Sequence, residues 1–429
     1  MDSGIDLHKW ISDLFPLSRS VVGPGYDESL DYLRNKMMNK GRILSFPTGS
    51  ELNGWIVPNS WKLNRAQIRD MNGATIIDTQ NSNLHIWSHS IAFAGVVTRA
   101  ELEEHLLTLR DKPDSIPYGT TYYKKNWGFS LTHNQYVTLK DDEYFVEIDV
   151  DEEPGKLNIF ELVLPGKSSK EIFISTYLCH PSMANNELSG PSVFTALIRM
   201  LERKELQYTY RFVLAPETIG PIFYLSKNQK LLKRNTFAAF NLTCVGAGDE
   251  WSLLHSPDGK SYADKVSETI LNEKVASFKK YDFLDRGSDE RQYCSPTIDL
   301  PMVSIMRSKY QNFNEYHNSK DDLSYVTPER LQKTLDIYSS LFCFIEADGF
   351  FLNSSKGEPF LDKKLHYPKV GGQTQPGVRD FFTNIRNFLA FAKNNTLLEI
   401  GSKIHVSSDE LVEISRFCLE NALISKKNF

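Results

Sequence analysis

Four stretches of this chain put ionisable side chains directly after short apolar runs. IFISTYLCHPSMANNELSGPSVFTALIRML, Ile172 to Leu201, delivers His180. YRFVLAPETIG, Tyr210 to Gly220, delivers Glu217. FNLTCVGAGDEW runs apolar from Phe240 to Val245 into a Gly-rich turn. GSDERQYCSP, Gly287 to Pro296, followed by PMVSIM and NEYHNSKDDL, delivers Asp289, Glu290, Arg291, Tyr293 and His317. Imidazoles and carboxylates are the side chains that move protons and hold metals. The Arg291 guanidinium can clamp a substrate carboxylate or phosphate through two parallel bonds; alternatively Asp289, Glu290 and Arg291 form an internal ion-pair network. Tyr293 can donate to a developing oxyanion or serve as core. Arg19, in SRSVVG, reads as a pocket cation or as a cap near the first helix. Cys179 next to His180 raises a Cys–His nucleophile, but adjacent residues at a strand end point opposite ways. Cys179 therefore reads as a buried small hydrophobe.

The elements that must position these groups can be read from apolar spacing. Ile172, Phe173, Ile174 and Leu178 make a buried strand, broken by Pro181 and the Asn185–Asn186 pair. Ser189, Gly190 and Pro191 open a helix whose apolar face is Val193, Leu197, Met200 and Leu201. From about residue 156 strands and helices alternate, as a mostly parallel sheet requires. In such sheets ligands bind where strands end and helices begin, so the four stretches predict one shared cleft. Residues from about 5 to 40 read as helical, with Leu30, Leu33 and Met37 at helical spacing. Residues 54–145 hold short strand-like pieces (Val57–Pro58, Ala74–Asp78, Leu84–Trp87, Ala92–Val97 and Tyr136–Leu139) and one helix announced by the capping box Thr98 and Glu101. His85 and His89 flank Trp87 and share a face on a strand, although further ligands for a second metal are not found. PYGTTYYKKNWGF, Pro117 to Phe129, is either the seam of this small domain or an aromatic and basic wall over the cleft. Thr327 and Pro328 start a long helix. The loop Gly349 to Thr374 and the turn-rich KVGGQTQPG precede a helical tail read as winged-helix-like.

The order of these segments resembles the zinc-dependent aminopeptidase-like exopeptidases. Within them it resembles a bacterial branch of aminopeptidase-like proteins associated with surface-polysaccharide genes. That branch carries strings close to CHPSMAN, PETIG, GSDERQYCSP and YHNSKDDL, and a start similar to LFPLSRSVVGPG. The resemblance implies an α/β fold, a mostly parallel mixed sheet flanked by helices. It implies an aminopeptidase-like domain over 1–53 and 146–352, a small mixed β domain over 54–145, and a winged-helix-like domain over 375–429. By the same resemblance His180 and His317 match the first and last metal ligands, and Glu217 matches the catalytic glutamate. Asn186, Thr218 and Thr243 fall where the clan carries its bridging aspartate, a ligand glutamate and a second aspartate. Bridging two dications needs negative charge to offset their repulsion. The expectation is therefore one Zn2+ or other divalent metal on His180 and His317, with a third ligand from Asn186, or from Glu187 if the loop shifts by one residue, or from Asp289 or Glu290.

Composition narrows the classes. The chain has 429 residues, 41% hydrophobic and 24% charged, with a formal net charge of −5. This is the balance of a globular protein, long enough for two or three domains. The net charge argues against a nucleic-acid or membrane binder, and no apolar run approaches transmembrane length. The tail helix from Ser408 carries Asp409, Glu410, Glu413 and Glu420 against Arg416 alone, a poor groove reader. MDSGIDLHKWISDLFPLSRS has neither a basic start nor a continuous apolar core, so no leader is expected. Five scattered cysteines suit a reducing, cytoplasmic setting. The leading expectation is a metal-dependent amide hydrolase acting on a small amino-acyl or N-acyl substrate, in polysaccharide or modified-sugar metabolism. Arg291, Tyr293, Asp289 and Arg19 would contact that substrate. The alternatives are an inactive binding protein that has lost the metal carboxylates, and a DNA-binding regulator. The insert and tail leave room for a homo-oligomer.

Overall fold

The computed structural model describes residues 2–359 and 381–429. Its centre is an eight-stranded mixed sheet. Across it the strands run in the order Arg42–Pro47, Lys156–Leu164, Tyr208–Ala215, Ser168–Tyr177, Thr236–Leu242, Met302–Met306, Trp251–Leu254 and Phe278–Tyr281. The four strands in the middle are mutually parallel. Lys156–Leu164 and Trp251–Leu254 run antiparallel to them. Side chains alternate across the sheet. Ile172 and Ile174 pack on one face and Phe173 on the other. The first face is covered by the helices Gly4–Leu14, Ser189–Leu201, Tyr262–Lys274 and Pro328–Ala347, and the second by Ile219–Asn235.

From the central strand Ser168–Tyr177 the chain goes first to the neighbour on one side, Tyr208–Ala215, and then crosses to the other side, Thr236–Leu242. This reversal opens a crevice at the carboxyl ends of the strands. Register fixes the depth of that crevice: Tyr177 lies opposite Ala215, and Thr176 opposite Leu242. His180, Glu217 and Thr243 therefore leave the sheet at nearly one level.

The N-terminal stretch forms two helices, Gly4–Leu14 and Pro24–Lys36. The predicted insert contains a four-stranded antiparallel sheet of Ser60–Arg69, Thr75–Asp78, Phe93–Thr98 and Glu143–Glu153. Glu143–Glu153 pairs along Ser60–Arg69 and so continues beyond residue 145. The Thr98 capping box opens the helix Arg99–Glu103 as expected. Tyr136–Leu139 is not a strand: Thr132 and Gln135 form another capping box that starts a helical turn at His133.

At the C-terminus, Phe381–Phe391, Leu397–Ile404 and Ser408–Glu420 are helices. Phe350–Asn353 pairs with both Lys393–Asn395 and Ile424–Lys427. The last helix is tied to the main body at its start. Ser408 donates its backbone N–H to Glu273 at 2.9 Å, and Lys274 pairs with Asp409 at 2.5 Å. KVGGQTQPG at 369–377 and the start of the 375–429 segment lie outside the described residues. Among the described residues no helix is long and apolar enough to cross a membrane.

Candidate active site

His180 sits three residues beyond the central strand, buried, on a loop that closes into a single π-helical turn, Ala184–Leu188. Such turns carry a wider ring of hydrogen bonds and recur at functional sites. Asp321 holds this one in place: its carboxylate accepts the backbone N–H groups of Asn185 at 2.6 Å and Asn186 at 2.8 Å. Glu187 then turns back to the histidine. One of its oxygens accepts from the His180 backbone N–H at 3.0 Å and from Cys179 N–H. The other lies 2.7 Å from His180 Nδ1. A carboxylate on Nδ1 fixes the tautomer and leaves Nε2 for the cleft.

Nε2 lies 3.6 Å from the Glu217 carboxylate. The His317 ring is 5.3 Å from that of His180, centre to centre. Tyr118, from the insert, packs against both rings at 5.0 and 5.5 Å. Glu217 and His317 thus each lie beside the His180 ring. Burial disfavours charge on His180, but Cys179 and Glu187 outweigh it and hold its pKa well above the usual range. Burial and the neighbouring His180 drive His317 down to about 3. Burial raises the Glu217 pKa, opposed by His180 and by a 2.9 Å hydrogen bond from the Ser288 hydroxyl.

Strained backbone marks the cleft. Glu217, Thr218 and Ile219 make a γ-turn, with Ile219 N–H reaching Glu217 O at 2.7 Å and Thr218 at φ 66°, ψ −66°. That turn is rare and costs free energy for a β-branched residue. His317 also has positive φ, 54°. Thr218 N–H donates to Asp289 at 2.7 Å, and its hydroxyl accepts from Arg291 Nη2 at 2.9 Å.

The other predicted residues have definite places. Arg291 is exposed at the rim, its Nε bonded to Ser288 O at 3.1 Å. Asp289 is fully buried, with one oxygen unpartnered and its pKa held well up by burial and by Glu217. It supports Thr218 rather than facing the cleft. Tyr293 is fully buried beneath the sheet, accepting from the Ser175 hydroxyl at 3.1 Å and packed on Phe173 at 4.9 Å. Its ring is packed in the core, away from the cleft surface, which is the core reading of this residue. Arg19 is also fully buried. It donates from Nε to His180 O at 3.0 Å and from Nη1 to Leu14 O at 2.5 Å, shaping the histidine loop from below. Glu290 turns away from the cleft to accept from Tyr310 at 2.6 Å and Asn241 at 3.1 Å.

Asn186, Thr218 and Thr243 stand as three neutral side chains around the crevice. Tyr177 OH lies 2.7 Å from Thr243 Oγ1 and donates to the Asn186 backbone carbonyl at 3.0 Å. Among the described residues one trio of His, Cys, Asp or Glu has its ligand atoms within 4.8 Å, namely Cys179, His180 and Glu187. Glu187 is spent on His180, and burial pushes the Cys179 thiol to about 11, so this trio orients the imidazole. His85 is held by Ser130 O at 2.8 Å, while His89 lines a different cavity. Sequence reasoning missed Asp321 and Ser288 as site supports. Both lie within the strings it singled out, YHNSKDDL and GSDERQYCSP.

A crevice at the reversal of a mixed sheet, with a histidine and a glutamate just past strand ends and a second histidine on a later loop, defines the class: an aminopeptidase-like fold. The chain belongs to the family described as Domain of unknown function (DUF4910), which matches residues 8–348. It is 38% identical over 372 residues to a Clostridium acetobutylicum protein named for polysaccharide biosynthesis and an aminopeptidase-like domain, covering 86% of this chain and 85% of that protein. A crystal structure titled as a peptidase from Clostridium acetobutylicum superposes with TM-score 0.90 at 33% identity, covering 99% of this chain and 96% of that one. BSAP, a zinc aminopeptidase from Bacillus subtilis, shares the fold at TM-score 0.57 and 13% identity, covering 79% of this chain and 94% of that one.

Proposed function

We propose that the protein hydrolyses an amide bond in a small amino-acyl or N-acyl substrate, with Glu217 as the general base. The observation that carries this reading is the Glu217 carboxylate 3.6 Å from His180 Nε2, in a crevice shared with His317. Glu217 would take a proton from the attacking water and return it to the leaving amine. The Ser288 hydroxyl, 2.9 Å from Oε1, orients the carboxylate for that exchange. Arg291 at the rim would receive a negatively charged substrate group.

The donor set offers two imidazoles toward one divalent ion and no charge for a second. Asn186, Thr218 and Thr243 supply no charge, so nothing offsets the repulsion of a second dication. His180 and His317 would hold a single ion, since Glu187 on Nδ1 is the partner that ligating histidines use. Such an ion supplies carbonyl polarisation and a more acidic water. The five unpaired cysteines support a cytoplasmic setting.

The experiment is Glu217→Gln assayed against a panel of aminoacyl and N-acyl substrates. The reading expects the rate to fall by about 10²-fold or more; unchanged hydrolysis would end it. A second reading, a metal-free binding protein, is favoured by the neutral side chains of Asn186, Thr218 and Thr243 around the crevice. It fails if the purified protein holds stoichiometric zinc.

A further inference from the structure

A cavity of about 550 Å³ opens in the insert beside the cleft. Trp55, Tyr122 and Tyr123 form its aromatic side, with Trp55 and Tyr123 edge to face at 5.4 Å. Tyr123 is 55% exposed, far more than folding alone requires of such a ring. Lys124 and Lys125 stand at the same mouth, exposed, and neither ammonium has a partner among the described residues. His89 lines the wall with its Nε2 buried and without a hydrogen-bond partner. Burial drives its pKa to about 4, so it is a neutral polar group at pH 7. Its backbone is also strained, with φ 66°.

The cavity is coupled to the chemistry. Tyr122 OH and Tyr118 OH lie 2.6 Å apart, and Tyr118 is the ring that packs on both His180 and His317. A ligand seated against Tyr122 would therefore touch the wall of the reaction crevice.

We propose that this cavity binds a sugar ring carrying a phosphate or carboxylate, as the part of the substrate remote from the bond that is cut. This rests on the hydrolase reading above. The lining combines aromatic faces, unpaired cations and hydroxyl-matching groups. A flat aromatic ligand would use the rings but leave the Lys124 and Lys125 ammonium groups unmatched. A sugar ring offers an apolar face to the rings and hydroxyls to the polar side. Its anionic group answers the two lysines, which outweigh the single carboxylate of Glu152, itself engaged by Asn59 at 2.9 Å. The volume lies in the range of small-ligand pockets.

The test is isothermal titration calorimetry on the full chain with glucose 1-phosphate and glucuronate, and with glucose and inorganic phosphate as the separate parts. One of the charged sugars should bind about tenfold or more tighter than either part. Trp55→Ala and the double variant Lys124→Ala/Lys125→Ala should each weaken it by about tenfold or more, while Glu217→Gln binds like wild type. Preference for one sugar over the other tells phosphate from carboxylate. No binding of either, equal binding of phosphate alone, or undiminished binding by both variants overturns the inference. A protein that cleaves amides yet binds neither sugar refutes this site alone. One that binds them but cleaves nothing refutes the hydrolase reading and leaves the cavity as described.

Discussion

Replacing Asp321 by Asn should change how stability depends on pH. Asp321 is fully buried and accepts two backbone N–H groups, with no cationic partner among the described residues. Burial raises its pKa from the usual 3.8 to about 7, only partly opposed by those hydrogen bonds. Between pH 3.8 and 7 the folded protein thus holds a proton that the unfolded chain has released. Stability from this group is full below pH 3.8 and declines as pH rises to 7. The span of 7 − 3.8 = 3.2 pH units corresponds to at most about 4 kcal/mol. Asn has no such proton. The unfolding free energy of wild type minus Asp321→Asn should therefore fall by up to about 4 kcal/mol from pH 4 to pH 7.5. Urea titrations at a series of pH values, with chelator present, measure this difference. A gap that stays constant, or widens with pH, would refute the reasoning.

Asp264 should behave in the opposite sense. Burial works against its charge, but His255 at 2.9 Å and the Ser256 and Ser261 donors hold its pKa at about 2. Its contribution is present above pH 3.8 and lost as pH falls toward 2. Asp264→Asn should thus lose about 2 kcal/mol at pH 7, with the gap to wild type closing in acid, as urea unfolding would reveal. Thr218→Gly should relieve the γ-turn and raise stability by about 1 kcal/mol after the entropy cost of glycine. It also removes the Arg291 anchor, so KM for an anionic substrate should rise. A lower melting temperature would contradict the strain argument.

The sequence made the crevice legible because its strands are buried on both faces and read as apolar runs. Ile172 to Tyr177 and Tyr210 to Leu214 needed no partner to be recognised, and the groups after them could be placed. Glu187 was visible as a residue near the site, but its grip on Nδ1 depends on the π-turn, which Asp321 holds from a distant loop. The core reading of Tyr293 holds because a four-residue helix, Glu290–Tyr293, turns its side chain under the sheet, where Phe173 and Ser175 point. Of the two readings of Arg19, the cap near the first helix holds: its Nη1 donates to Leu14 O at the end of Gly4–Leu14 and its Nε to His180 O. Ser60–Arg69 was missed because a bulge between Leu63 and Arg65 breaks its alternation, whereas Glu143–Glu153 was overlooked although Tyr144, Val146 and Ile148 alternate with Glu147 and Asp149.

The proposed function would have a single ion held by His180 and His317, with Glu217 beside them as the base. Crystals of the wild-type protein grown with zinc and measured across the zinc absorption edge test this most directly. The account predicts one anomalous peak, bonded at about 2 Å to a nitrogen of His180 and a nitrogen of His317. Two peaks flanking Asn186, or none near either histidine, would contradict it.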